Sequence, residues 1–404
     1  MPDLRQLSTV TNYQPALPEA VFPPDGTFIG RAWLPASGNR AAGPRVIGVK
    51  DFRVFDLSTR YPTTSHWVND PGPLPPLEST FPELDPLEGF LQNSFFWNRA
   101  GSLREETRPV LLAPNDLLAT RACGVTFVRS LLERVVEEQA KGDPARARDI
   151  RHLIEESLGN DLSKVHPGSP ETVELKARLQ EKGLWSQYLE VGIGPDAEIF
   201  TKTAPMASVG FGAQVGVLPA SSWNNPEPEV VLAVSRTGTI RGATLGNDVN
   251  LRDYEGRSAL LLGEAKDQNG SCAIGPLIRV LDDTFRLEDL KQAEIELSIW
   301  GPDGFHTSGV NRMAEISRSP ESLVAQAIGP HHQYPDGLML FLGTMFAPTE
   351  DRKAPGLGFT HEPGDRVEIA TPALGRLVNW VNHTNAIPPW DYGITDLLEF
   401  LKSP

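Results

Sequence analysis

A chain of 404 residues with a formal net charge of −15 and a pI of about 5.1 is long enough for more than one domain and a large core. Its acidity argues against nucleic acid and anionic membrane surfaces as partners, since both attract basic proteins. Two cysteines, Cys123 and Cys272, cannot build a disulfide framework, no apolar run approaches the ~20 residues that cross a bilayer, and the first residues, MPDLRQLSTV, lack a basic segment followed by an apolar one. A cytoplasmic enzyme is the expectation.

Residues 1–110 are rich in proline and glycine, with short apolar runs at 26–30 and 44–49. They predict short strands joined by long loops, in a small N-terminal β-rich domain. Residues 71–78, PGPLPPLE, read as an extended surface linker. A boundary is expected at 111–114, followed by the main domain over 115–404.

Residues 124–138 place Phe127, Leu131, Leu132, Val135 and Val136 at helical spacing. Ser130 and Glu133, three apart, share one face of that helix. Two further helices each open on an N-cap and proline pair, at Asp143–Pro144 running to about 158 and at Ser169–Pro170 running to 183. In the following stretch, WSQYLEVGIGPDAEIFTK, Glu198 and Lys202 flank a short strand.

The densest chemistry lies between Trp223 and Pro276. Glu227 and Glu229 form an E-x-E pair whose side chains point to one side of a strand. Residues 230–234 are β-prone and apolar, and Pro228 fits a strand start, an edge or a bulge. Two adjacent carboxylates repel, so one keeps its proton unless a cation sits between them. Mg²⁺ suits such a site, with Mn²⁺ able to substitute. Asp248 follows nineteen residues after Glu229, and Lys266 eighteen after that. Taken alone, the pair also fits a solvated strand face, Asp248 a turn residue and Lys266 a surface lysine.

Downstream, residues 294–299 alternate polar and apolar as a strand does, and a helix is expected from Ser319–Pro320 to Gly329–Pro330. His331 and His332 are adjacent and would face opposite ways in a strand, which is not a metal motif. Gly343-Thr344 follows an apolar strand, and a turn and strand are expected at 364–369. No fixed-period repeat is present.

In order, Glu227–Glu229, Gly242–Asp253, Lys266–Pro276 and Gly343-Thr344 resemble the signature of the fumarylacetoacetate hydrolase superfamily: E-x-E, then G-x-x-x-x-N/L-D-x-x-x-R-D, then K-x-x-x-x-x-C-x-x-G-P, then G-T. The resemblance spans about residues 115–404. It implies an α+β fold, with a mixed β-roll catalytic domain, flanking helices and the smaller N-terminal domain. It implies Glu227, Glu229 and Asp248 as metal ligands, Lys266 as a catalytic residue, Cys272 as a packing residue, and Thr344 facing a substrate carboxylate. Family members commonly form homodimers or homotetramers.

The family's hydrolases carry a histidine and a glutamate near residue 130. Laid on this chain, the histidine falls on Ser130 and the glutamate on Glu133, so the dyad is broken; Phe127 and Ser130 are then expected to line the substrate. Thr126 stands where some members have a fourth acidic ligand. Residues 127–183 are expected to form a helical lid over the metal. A glutamate in an E-I-F-x-K context, matched by Glu198, lies in the active site of sugar-acid dehydratases of this superfamily, and His332 is a candidate contact for a substrate hydroxyl.

Phrases such as GNDVNLRDYEGRSALLL and HQYPDG resemble a subgroup that dehydrates 2-keto-3-deoxy-D-pentonates. This implies conversion of 2-dehydro-3-deoxy-D-pentonate to 2,5-dioxopentanoate. A Lewis acid on the substrate's carboxylate and keto oxygen would make the C3 protons acidic. Glu198 and Lys266 are the candidates for moving protons or steadying charge. The rival readings are an acylpyruvate or diketo-acid hydrolase, a 2-keto-acid decarboxylase and a non-catalytic sugar-acid binding protein.

Overall fold

A computed structural model describes residues 21–23, 25–95, 102–141, 143, 167–181, 185–344 and 348–402. Its strands in chain order are β1 (Thr27–Leu34), β2 (Gly43–Lys50), β3 (Arg53–Asp56), β4 (Val110–Leu112), β5 (Ala119–Cys123), β6 (Ile199–Thr203), β7 (Gln214–Val217), β8 (Asn224–Asn225), β9 (Pro228–Val234), β10 (Ile240–Asp248), β11 (Asn250–Leu251), β12 (Cys272–Val280), β13 (Glu294–Trp300), β14 (His306–Arg312), β15 (Leu338–Phe341), β16 (Arg366–Thr371) and β17 (Gly375–His383). A ten-stranded mixed sheet runs β3-β2-β1-β12-β10-β9-β15-β5-β6, with β4 also paired to β1. A five-stranded sheet runs β14-β13-β16-β17-β7, and β8 pairs with β11. Mixed sheets with flanking helices are the α+β class expected.

The central strand β9 explains the layering. It is buried along its whole length, which is why it reads as an unbroken apolar run. Val230, Leu232 and Val234 pack with Ile295, Leu297, Val367 and Leu377 of the second sheet. Val231 and Ala233, on the opposite face, pack with Trp67, Ile274 and Phe341. Each of the valine, leucine, isoleucine and phenylalanine side chains contributes about 1.5–3 kcal/mol by leaving water. Strand β13 lies at the other extreme, with Glu294 and Glu296 exposed and Ile295 and Leu297 buried.

The N-terminal strands β1–β3 join this same large sheet, β1 pairing with β12. The expected boundary near residue 110 therefore falls within one sheet. Three short helices, Thr64–Val68, Leu77–Thr80 and Leu87–Ser94, correct the expectation of strands and loops alone. The last two begin directly after Pro76 and Pro86, where a proline suits a helix start.

The helix expected from residue 124 spans Val128–Ala140. Its start is delayed because Val125 takes a positive φ of 46° and Phe127 bridges to Ile316. It packs through Leu131, Val135 and Val136 on the Gln187–Ile193 helix and Trp223. The helix expected from Ser169–Pro170 spans Pro170–Glu181. The one expected over 143–158 lies outside the described residues, apart from Asp143.

Candidate metal centre

Strands β9 and β10 are antiparallel neighbours, with Glu229 opposite Gly246 and Pro228 opposite Asn247. This register sets Asp248 opposite Glu227, and the amide of Asp248 donates to the Glu227 carbonyl at 3.0 Å. Glu227 and Glu229, two apart, share the face opposite Val230 and Leu232. A hairpin thus converts a nineteen-residue spacing into contact. One ligand oxygen from each of Glu227, Glu229 and Asp248 lies within 4.8 Å of the other two. These three residues are at most 2% exposed.

Lys266 ends the short Leu262–Lys266 helix and reaches into the same cluster. Its Nζ lies 2.5 Å from Glu227 Oε2 and 3.1 Å from Asp248 Oδ2, above the ring of Phe200. Lys202, fully buried on β6, lies 2.9 Å from Asp248 Oδ1 and donates to the backbone carbonyl of Lys266. Arg134, from the Val128–Ala140 helix, pairs with Glu227 Oε1 and, at 2.8 Å, with Glu255. The Gly343 amide donates to Glu229 Oε2 at 2.7 Å and the Thr344 hydroxyl to Glu229 Oε1 at 3.3 Å. Gly343 has φ +100° and a side chain there would meet Thr126, whose hydroxyl donates to the Leu342 carbonyl at 2.6 Å.

The electrostatics follow from this crowding. Burial pushes the Glu229 carboxyl up, and Asp248 and Glu227 push it well above the usual range. Burial also opposes charge on Glu227, but Arg134 and Lys266 outweigh it and pull this carboxyl down to about 2. Burial would lower Lys266; Asp248, Glu227 and Glu255 overcome that and hold the ammonium above the ordinary lysine range. Glu198, half-buried just before β6, is pushed up to about 7 by burial and by Glu255, against the pull of Arg134 and Lys266. Gly124 gives it room, because a Cβ there would collide with the Glu198 carboxylate.

These residues fit a hard divalent cation. The donors are oxygens, the ion Mg²⁺ prefers. Asp248 Oδ1 is buried and accepts no aligned hydrogen bond despite the nearby ammonium. Burial first, and then repulsion from Asp248 and Glu227, favour the protonated form of Glu229, and a cation would relieve that repulsion.

The other expected site residues are distributed as follows. Phe127 is buried in the main core. Thr344 serves Glu229. His332 is exposed, in a turn closed by hydrogen bonds with Gly329, where it lines a surface cleft with Arg121 and Tyr334. Ser130 and Glu133 lie on the Val128–Ala140 helix, but their side chains lie outside the described residues. Cys272 is buried, its thiol pushed up to about 12 by burial, as a packing residue's would be. Sequence reasoning missed Arg134 and Glu255, and saw Lys202 only as a strand flank. Buried Arg252, stacked 5.5 Å from the Trp223 ring, also draws Glu227 down and stands in the R-D of the signature.

A buried carboxylate trio thus lies beside a lysine and near a glutamate whose carboxyl is raised to about 7, on mixed sheets. The chain belongs to the fumarylacetoacetate (FAA) hydrolase C-terminal family, which matches residues 186–382. It is 31% identical over 206 residues to a probable 2-keto-3-deoxyxylonate dehydratase of Haloferax volcanii, covering 51% of this chain and 67% of that one. It is 26% identical over 276 residues to the 2-dehydro-3-deoxy-D-arabinonate dehydratase of Saccharolobus solfataricus, covering 64% and 88%. Its fold is similar to a 2-keto-3-deoxy-D-arabinonate dehydratase solved with magnesium and 2,5-dioxopentanoate, with a TM-score of 0.57 and 19% identity over 88% of this chain and 98% of that one. Among the described residues, no helix is long and apolar enough to cross a membrane.

Proposed function

We propose that this protein is a Mg²⁺-dependent dehydratase that converts 2-dehydro-3-deoxy-D-pentonate to 2,5-dioxopentanoate and water. The observation that carries the reading is the buried trio of Glu227, Glu229 and Asp248, with ligand oxygens within 4.8 Å, beside Lys266. The names of the two relatives and the magnesium and product bound by the similar structure support it.

Glu227, Glu229 and Asp248 would hold the cation, which when bound supplies a Lewis acid for the carboxylate and keto oxygen of a 2-keto acid. Lys266, kept as an ammonium by Asp248 and Glu227, steadies negative charge as a proton leaves C3. Glu198, with its carboxyl near 7, donates a proton to the departing 4-hydroxyl. The C3–H and C4–O bonds break, a C3=C4 double bond forms, and water leaves. Loss of a C5 proton with return of one to C3 gives a C4=C5 enol, and protonation at C4 with loss of the enol O–H proton then yields the aldehyde. Lys202 holds Asp248 and the Lys266 backbone in register throughout. Ser130 in place of the hydrolytic histidine disfavours C–C cleavage. We also propose a homodimer or homotetramer.

The test is incubation of the metal-loaded protein with a panel of 2-keto-3-deoxy acids, identifying products by mass. Loss of water from the pentonate is expected. C–C cleavage, loss of CO₂ or binding without turnover would replace this reading with one of its rivals.

A further inference from the structure

Each carboxylate oxygen of the trio lies near a protein donor, although Asp248 Oδ1 accepts no aligned hydrogen bond. Glu229 is held by Gly343 and Thr344, Asp248 by Lys202 and Lys266, and Glu227 by Lys266 and Arg134. A cation that takes Glu227 Oε1 as a ligand must displace Arg134 from it. The resident groups differ in how they are mounted. Gly343 is backbone and Thr344 adjoins it. Lys202 is rooted on a sheet strand and Lys266 on a segment whose carbonyl Lys202 grips. Arg134 alone of these cations rides on the Val128–Ala140 helix, which joins no sheet and packs mainly on the Gln187–Ile193 helix and Trp223. Arg134 is also half of a second ion pair, with Glu255, that does not involve the trio.

We infer that Arg134 is an exchangeable counter-ion for the metal site. It neutralises Glu227 Oε1 until a divalent cation arrives, then yields that oxygen and keeps Glu255. Metal loading thereby removes one of the ties between the Val128–Ala140 helix and the trio. Since those acids are at most 2% exposed, a keto acid reaches them only when covering groups move, and Arg134 is one of them. The yielded guanidinium edge stays beside the trio, where it acts as a positioning residue for the carboxylate of an anionic substrate. This inference rests on the reading of the trio as a metal site.

The experiment titrates metal-free protein with Mn²⁺, following free Mn²⁺ by electron paramagnetic resonance. It compares the native chain, Arg134→Lys, Arg134→Gln, and the double variant Arg134→Gln/Glu255→Gln, which leaves no buried charge from that pair unpaired. Losing a competing charge-assisted hydrogen bond is expected to tighten Mn²⁺ binding by about tenfold or more in both glutamine variants, with lysine intermediate. Amide exchange over 128–140 should rise with Mn²⁺ in the native chain and be insensitive to it in the glutamine variants. KM for the keto acid should rise in these variants more than kcat falls. Equal or weaker Mn²⁺ affinity in both folded glutamine variants overturns the exchange while leaving the metal site intact. Failure of every form, the native chain included, to bind Mn²⁺ removes the metal site itself and this inference with it.

Discussion

Lys266 Nζ and Glu227 Oε2 lie 2.5 Å apart with both side chains buried, so the lysine beside the candidate metal site is an ammonium at rest. An ammonium is a poor base and a poor amine nucleophile but a strong electrostatic partner for a developing oxyanion.

Lys266→Met is accordingly expected to lower kcat by about 10²–10³-fold, the scale of removing one oxyanion donor. Mn²⁺ affinity should not weaken, because a cation has left the site. Borohydride added during turnover should leave no adduct on Lys266 by peptide mass; a stable adduct would mean that the lysine acts by forming a Schiff base.

Glu198 predicts the pH dependence. Its carboxyl is raised to about 7, by burial first and Glu255 second. Acting as the acid, it must be protonated, so kcat should fall as pH rises through about 7, and Glu198→Gln should lose that limb. The stability sign agrees with a raised carboxyl. Between the ordinary glutamate value near 4.5 and about 7 the folded protein holds the extra proton, so stability declines with rising pH in that window. In Glu198→Gln the decline should be shallower in melts across pH 4.5–7. Gly124→Ala should reproduce the kinetic loss by displacing the carboxylate. A native pH profile in Glu198→Gln refutes the assignment.

How much of this site was legible follows from sequence separation. Glu227 and Glu229 were readable because strand periodicity alone puts them on one face. Asp248 required the hairpin register, and Lys266 the family signature, since its contact with Glu227 crosses 39 residues. Arg134 sits 93 residues from Glu227, on a helix whose apolar spacing reported only its packed face. Glu255 follows R-D-Y, and no local pattern there announces a buried partner 121 residues upstream. The sheets were legible in their apolar runs. The short helices at 64–94 were masked by prolines that mark starts as readily as breaks. Thr344 was expected to face a substrate carboxylate, and its hydroxyl donates to the Glu229 carboxylate.

The Lys202–Asp248 pair, 2.9 Å apart with neither side chain more than 1% exposed, predicts a stability defect. Breaking a buried pair leaves an uncompensated charge, costing about 3–5 kcal/mol. Lys202→Met and Asp248→Asn should each lower the unfolding free energy of metal-free protein by that amount, read as a lower midpoint in chemical denaturation. Asp248→Asn should also lose Mn²⁺ binding. A midpoint within error of the native chain for Lys202→Met would mean that the ammonium contributes nothing net.

Gly343 separates support of the candidate ligand Glu229 from contact with substrate. Its φ of +100° is unfavourable for any L-residue, and a Cβ would meet the Thr126 hydroxyl and, at 3.0 Å, the Cys123 carbonyl. Gly343→Ala should therefore cost about 1–3 kcal/mol in chemical denaturation. It should also move the amide that fixes Glu229. Thr344→Val removes the second donor without straining the backbone. Outer partners of metal ligands typically carry 10–100-fold in metal affinity. Both variants should then bind Mn²⁺ more weakly by about that factor, with Thr344→Val at the lower end because its bond is the longer. Raising Mn²⁺ to saturation should restore most of the lost turnover in Thr344→Val. If instead its Mn²⁺ affinity is native and only KM for the keto acid rises, the hydroxyl reads the substrate carboxylate.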